Sequence, residues 1–179
     1  LIIEYKAKPP LFTDHLRAIG KLKYAKGNRP EVECIFCAVR DDDPQVQAWK
    51  VYQERDLFIS LNLYPYNSGH LMVIPTRHVE KFSDLTEVER NRIFHVVIQC
   101  QSLLKELFTP AGFNVGWNQG RAAGASIQHI HIHIVPRYKT ELGYIDIIGK
   151  TKIIIEPLSE VLRKIQARIH EFIEPPKNE

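Results

Sequence analysis

The run Gln128-His129-Ile130-His131-Ile132-His133-Ile134-Val135 alternates imidazoles with branched aliphatic side chains. A strict two-residue alternation of this kind matches an extended strand, in which successive side chains point to opposite faces. A strand over residues 127–135 then sets three histidines on one face and the isoleucines on the other. Such a face is cheaper to build from valine than from three polar rings, so it is expected to carry chemistry. Two chemistries compete for it: a metal site, or a nucleophile flanked by helper groups. Histidine metal sites usually recruit a carboxylate or a further histidine, yet no Asp or Glu occurs between Thr109 and Thr140. The preceding stretch, Asn118 to Ser126, is instead small and rich in backbone N–H groups, which suits an anionic phosphate. That favours phosphate chemistry.

The rest of the chain supplies a scaffold for such a strand. Val51-Tyr52 and Leu57 to Leu61 read as strands around Glu54-Arg55-Asp56, and Leu71 to Ile74 reads as a third, closed by Pro75. Asp84, with Glu87 three residues on, resembles a helix N-cap with its capping-box partner. The positions Ile93, Val96, Val97, Cys100, Leu103, Leu104 and Leu107 then recur at helical spacing. Cys100 falls on that stripe and reads as a small core hydrophobe. The helix is expected to stop near Thr109-Pro110, before a strand from Phe113 to Trp117. Past Tyr138 the pattern predicts a short strand from Tyr144 to Ile148 and a last amphipathic helix from Pro157 to Ile173. This order predicts an α+β domain with an antiparallel sheet and a long helix on one face.

Composition adds bounds. A hydrophobic fraction of 44% and a charged fraction of 25% are those of an ordinary globular chain. The net charge of +3 is too small to argue for wholesale nucleic-acid coating. Residues 1–33 are nevertheless a basic extension, with Lys6, Lys8, Arg17, Lys21, Lys23, Lys26 and Arg29 against Glu4 and Asp14. It reads as a solvated tail or as a contact for polyanionic substrate or a partner subunit. No stretch approaches the ~18 apolar residues of a membrane span, and three cysteines make no secreted disulfide framework. A soluble, cytoplasmic protein that engages no membrane is expected.

The three alternating histidines, Asn62, the stretch Ser68 to His78, and Asn118, Gly124 and Ser126 together resemble the histidine-triad family closely, over roughly Cys34 to Tyr138. The resemblance implies the histidine-triad fold for residues 34–138, with 139–179 as a C-terminal strand and helix on the same domain. It implies a covalent mechanism without an organic cofactor, in which His131 attacks the α-phosphorus of a nucleotide and an acceptor resolves the intermediate. A free histidine titrates near ~6.5, so a useful fraction is neutral and nucleophilic near pH 7. By the same resemblance His133 contacts the phosphate and leaving oxygen, His129 completes the triad and His70 buttresses it. Asn62 binds the ribose, while Asn118, Gly124, Ala125 and Ser126 hold the phosphoryl oxygens.

Cys34-Ile35-Phe36-Cys37 has the spacing of half a tetrahedral zinc site. The family resemblance supplies His78 and His129 as the other ligands of a structural zinc. A redox pair is the rival reading, disfavoured because the sequence after Cys37 turns acidic and loop-like instead of opening a helix; two reduced, buried cysteines are the third. The basic extension, the loop Ala123-Gly124-Ala125-Ser126 and the tail Gly143 to Gly149 are similar to the short dinucleoside tetraphosphate phosphorylases of the family. That branch implies diadenosine tetraphosphate as substrate, inorganic phosphate as acceptor and a homodimer through the helix Leu85 to Phe108 and the strand through Trp117. Hydrolysis of dinucleoside polyphosphates or nucleoside phosphoramidates, or nucleotide binding with little turnover, remain as alternatives. His133, where uridylyltransferase relatives carry glutamine, argues against sugar-nucleotide transfer.

Overall fold

A computed structural model describes residues 30–139, 141 and 156–176. The basic extension up to residue 29 and the strand expected at Tyr144 to Ile148 lie outside these residues. The elements run α1 (Ile35–Arg40), β1 (Lys50–Gln53), β2 (Leu57–Leu61), β3 (Leu71–Pro75), α2 (Glu87–Phe108), β4 (Gly112–Gly116), β5 (Ile132–Arg137), α3 (Leu158–Gln166) and α4 (Ile169–Phe172), with 3-10 turns at Phe82–Asp84 and Arg121–Ala123. The five strands form one sheet in the order β1-β2-β3-β5-β4, every neighbouring pair antiparallel. This is the expected α+β architecture.

Helix α2 carries the chain from β3 across to β4 and leaves between them a slot that β5 fills, a split β-α-β arrangement. The apolar positions of α2 (Ile93, Val96, Val97, Cys100, Leu103 and Leu104) are buried against Leu57, Ile59, Leu61, Leu71, Val73, Ile132 and Ile134 of the sheet. Cys100 is fully buried, which pushes its thiol up to about 12, as befits a core hydrophobe. A second, smaller cluster lies on the opposite face, where Phe36 and Val39 of α1 meet Phe58, Met72 and Ile74. Strands β2 and β3 are therefore buried on both sides, which explains why they read as nearly continuous apolar runs.

Four boundaries differ from those read in the sequence. The N-cap of α2 is Thr86, whose hydroxyl accepts the Glu89 N–H while the Glu89 carboxylate accepts the Thr86 N–H. Asp84 instead ends the preceding 3-10 turn, because Leu85 is drawn into the core in an extended conformation and delays the helix. Arg77 bonds the same Glu89, holding its carboxyl down at about 2. The expected last helix is broken into α3 and α4: Arg168 leaves the helical region to pair with Glu106 of α2 and Glu171, while Val161, Ile165, Ile169 and Ile173 stay buried in the core. The segment after Cys34 opens a short helix, α1, before the acidic loop begins at Asp41. Finally, β5 starts at Ile132, not Ile127. Its partner β3 ends at Pro75, which has no N–H to continue the ladder and whose carbonyl is taken by the His129 ring.

Candidate functional site

The alternation read in the sequence holds even where the ladder does not. Ile130, Ile132 and Ile134 enter the core beneath α2, while His129, His131 and His133 face the α1 side. Register places His133 opposite Met72 on one side and Gly116 on the other. The three rings nevertheless serve two places: His131 and His133 stand edge to face with centroids 4.7 Å apart, whereas His129 turns toward His78, 4.9 Å away, and Phe36 touches both His129 and His131.

Backbone carbonyls fix which nitrogen of each ring carries the proton. His131 Nδ1 lies 2.7 Å from the His129 carbonyl and can only donate to it, so in the neutral ring Nε2 keeps its lone pair. Burial pulls the His131 pKa below the ordinary histidine value, against the opposing pull of that hydrogen bond, which keeps the ring neutral at pH 7. His129 Nε2 donates to the Pro75 carbonyl at 3.0 Å, leaving Nδ1 as an acceptor; burial brings its pKa down to about 4.

His70 lies directly behind His133. The Tyr66 N–H donates to His70 Nδ1 at 3.1 Å, so neutral His70 carries its proton on Nε2 and donates it to His133 Nδ1 at 3.0 Å. His133 in turn must present an N–H at Nε2. The site therefore pairs a lone pair on His131 with a proton donor on His133, the two complementary groups that displacement at phosphorus uses.

Both rings line a cavity of about 170 Å³. One wall is apolar, built from Ile35, Phe36 and Val39 of α1 with Leu61 and Leu63; the other carries Asn62, Asn118, Gly124 and Ser126. Asn62 is tied by its Oδ1 to the Tyr64 N–H, with its Nδ2 3.5 Å from His70 Nε2. Ala125 departs from its expected place. It faces a neighbouring cavity of about 960 Å³ beside Cys34, His78 and Arg121, and its N–H donates to the Gly120 carbonyl within the loop. The residues of this loop that line the smaller cavity are thus Asn118, Gly124 and Ser126; Gly124 takes a φ of +90°, which a side chain would strain.

The sequence reading missed the anchors of the turn that holds His70. Asn67 is buried and donates from Nδ2 to the Pro136 carbonyl at 2.7 Å and to Glu141 at 3.2 Å. Glu141 also accepts from Arg137 Nε and Nη2 and from the Tyr138 N–H, Tyr138 OH donates to the Ser68 carbonyl, and Ser68 Oγ donates to Glu156. Gly69, at φ +80°, is wedged so tightly that a Cβ would meet Leu104, Phe108 and Pro136 at 3.1–3.3 Å. Only the Asn-Ser-Gly composition of residues 67–69 hinted at a special turn.

Cys34, Cys37, His78 and His129 come together, their ligand atoms all within 4.8 Å of one another. Cys34 Sγ and Cys37 Sγ lie 3.4 and 3.7 Å from His129 Nδ1, and Cys37 Sγ lies 3.5 Å from His78 Nδ1. A tetrahedron with Zn–S and Zn–N bonds of ~2.3 and ~2.05 Å has S···N edges of about 3.5 Å, so these residues fit a zinc ion. Burial, reinforced by Cys34, pushes the Cys37 thiol up to about 11, the opposite of a redox-active thiolate.

The sequence matches the family model "HIT domain" over residues 38–140, more than half of the chain. The chain belongs to the histidine-triad (HIT) family. It is similar to the AP-4-A phosphorylase of Mycobacterium tuberculosis, 42% identical over 108 residues that make up 60% of this chain and 55% of that one. The chain thus spans about half the length of that curated relative. The asymmetrical bis(5′-nucleosyl)-tetraphosphatase of Schizosaccharomyces pombe is 35% identical over 49% of this chain and 48% of its own. Among solved structures, a Zn-bound histidine triad family protein from Mycobacterium smegmatis superposes with a TM-score of 0.64 at 25% identity, covering 78% of this chain and 94% of that one. HIT membership accounts for the sheet, the long helix and the triad strand together.

Proposed function

We propose that this HIT protein is a nucleotidyl transferase that cleaves dinucleoside polyphosphates at the α-phosphate, with diadenosine tetraphosphate as substrate and inorganic phosphate as acceptor. The observation that carries the reading is the His131–His129 carbonyl bond at 2.7 Å, which leaves the His131 Nε2 lone pair beside the cavity. In the first step Nε2 bonds to the α-phosphorus and the α–β bridging P–O bond breaks. The electron pair leaves on the polyphosphate oxygen, which departs as an anion while the His133 Nε2–H donates a hydrogen bond to it as its charge develops. In the second step a phosphate oxygen attacks the same phosphorus, the P–N bond breaks and His131 is restored. Asn62 holds the ribose, and Asn118, Gly124 and Ser126 hold the phosphoryl oxygens. The similarity to an AP-4-A phosphorylase supports this acceptor, and the similarity to an asymmetrical tetraphosphatase supports water in its place.

Incubation with diadenosine tetraphosphate, with and without phosphate, separates the two. ATP plus ADP appearing only with phosphate is the expected result. ATP plus AMP regardless of phosphate would make the protein a hydrolase, and no turnover would leave a binding module.

Zinc at Cys34, Cys37, His78 and His129 is part of the proposal; it would pin α1, and with it the apolar cavity wall, to the sheet. A homodimer is the other part. Phe94 and Ile98 of α2, Val115 of β4 and Trp117 are exposed, and Trp117 stacks on Phe82 with centroids 4.2 Å apart. Such a contiguous apolar face on one helix and an edge strand suits a second copy of the chain. Sedimentation at micromolar concentration should give twice the chain mass, and Ile98→Glu should give the single mass. No described helix is long and apolar enough to cross a membrane.

A further inference from the structure

A polyphosphate brings several negative charges to the site, yet among the described residues no lysine or arginine lines the cavity of about 170 Å³ that holds His131 and His133. The adjoining cavity of about 960 Å³ is lined by a single one, Arg121. Ile35, Ser126 and Ile127 line both cavities, so the two meet along the loop that carries Arg121. Arg121 opens the 3-10 turn Arg121–Ala123, between Asn118 and Gly124 of the smaller cavity. That turn is closed on itself: the Ala123 and Ala125 N–H groups donate to the Gly120 carbonyl and the Gly124 N–H to the Arg121 carbonyl, with Gly120 and Gly124 at φ +83° and +90°. The base of the side chain is therefore fixed. Its guanidinium, by contrast, is uncommitted, with no hydrogen bond or ion pair to any described residue. The other described arginines are all engaged: Arg40, Arg55, Arg77, Arg92, Arg137, Arg163 and Arg168 lie against carboxylates, and Arg90 donates to the Leu85 carbonyl. Glu33 and Glu80 also line the larger cavity, but they belong to its metal end: Glu33 precedes Cys34, and Glu80 lies 3.9 Å from His78. An exposed, unpaired guanidinium on a fixed turn beside a nucleotide cavity has the form of a fork for phosphate oxygens.

We propose that Arg121 binds the phosphate oxygens beyond the α-phosphate, first those of the departing polyphosphate and then those of the acceptor phosphate that takes the vacated place. The inference rests on the dinucleoside polyphosphate reading above and deepens it by giving the anionic part of that substrate a cationic partner. It also makes Arg121 a determinant of the acceptor, because a guanidinium that holds phosphate beside the intermediate favours phosphate over water.

Two measurements test it, one for each source of phosphate. In the His131→Ala protein, calorimetric titrations compare diadenosine tetraphosphate with AMP, which has no phosphate beyond the first. Adding Arg121→Ala should weaken the tetraphosphate roughly 10-fold or more and leave AMP unchanged. With His131 intact, Arg121→Ala should raise the phosphate concentration that half-saturates ADP formation by a similar factor and shift the product from ADP toward AMP. Arg121→Lys should recover part of both. A loss in the titration alone assigns Arg121 to the departing chain, and a loss in the phosphate dependence alone assigns it to the acceptor; either upholds it as a phosphate ligand. No loss in either measurement would overturn the assignment, as would an equal loss for AMP, which places the effect in the fold of the loop. Failure of the nucleotidyl-transfer reading shows separately, as absence of turnover in the unsubstituted protein, while the titration still reads Arg121.

Discussion

His131→Ala protein is expected to fold normally and to lose nucleotide turnover by about 10⁴-fold or more, the scale on which removal of a covalent nucleophile acts. No neighbouring ring can take over. The His129 lone pair points at the cysteines, and His133 accepts from His70 at one nitrogen, which leaves a proton on the other. Acid-free quenching of the unsubstituted protein with substrate and no acceptor should show one added nucleotidyl mass, absent from the variant. Substantial residual activity would sink the nucleophile assignment. The pH dependence carries a sign. Because burial lowers the His131 pKa, the neutral, nucleophilic form persists below the usual histidine range. The acid limb of kcat/KM should then fall at a pH below ~6.5.

Removal of metal from the Cys34, Cys37, His78 and His129 cluster should act on stability and on binding, and little on chemistry. A structural zinc holds its ligands together only in the folded chain, so its loss is expected to lower unfolding free energy by on the order of 3–5 kcal/mol. For a domain of this size that corresponds to roughly 10 °C in Tm. Calorimetry before and after chelation, together with metal analysis, measures it. KM should rise because Cys34 and Cys37 tether α1, which carries Ile35, Phe36 and Val39 of the cavity wall. Meanwhile kcat of the folded fraction should change little, since the acceptor for His131 is the carbonyl of His129 and not its side chain. An unchanged Tm in protein shown to have lost stoichiometric zinc would end the structural-metal reading.

How much of this was legible beforehand differs by residue. Alternation alone put the three histidines on one side of the sheet, because a period of two is a property of any extended backbone. It could not tell that His129 would turn toward the cysteines while His131 and His133 lined the cavity, since that depends on where β3 ends and on the free carbonyl of Pro75. The carbonyl of His129 and the N–H of Tyr66 set the tautomers of the site, yet every residue carries such groups and no pattern marks them out. Asp84-Glu87 and Thr86-Glu89 are equally good capping boxes by spacing. Burial of Leu85 decides between them, and that is a tertiary effect. The Asn67–Glu141 anchor joins positions far apart in the chain and was out of reach of any local reading.

The position of β5 between β3 and β4 also governs how the protein comes into being. The strand that bears His133 is internal to the sheet but the last in the chain of the five among the described residues, and it fills a slot between β3 and β4, which α2 connects. Its pairing with β3, Val73 to Ile132 and Leu71 to Ile134, closes a loop that contains the whole of α2 and β4. During synthesis from the N-terminus, no partial chain ending before β5 can bring His70, Asn62 and the triad together. Late, non-local pairing of this kind is slow relative to helix formation. The cavity that His131 and His133 line is therefore complete only when the sheet is.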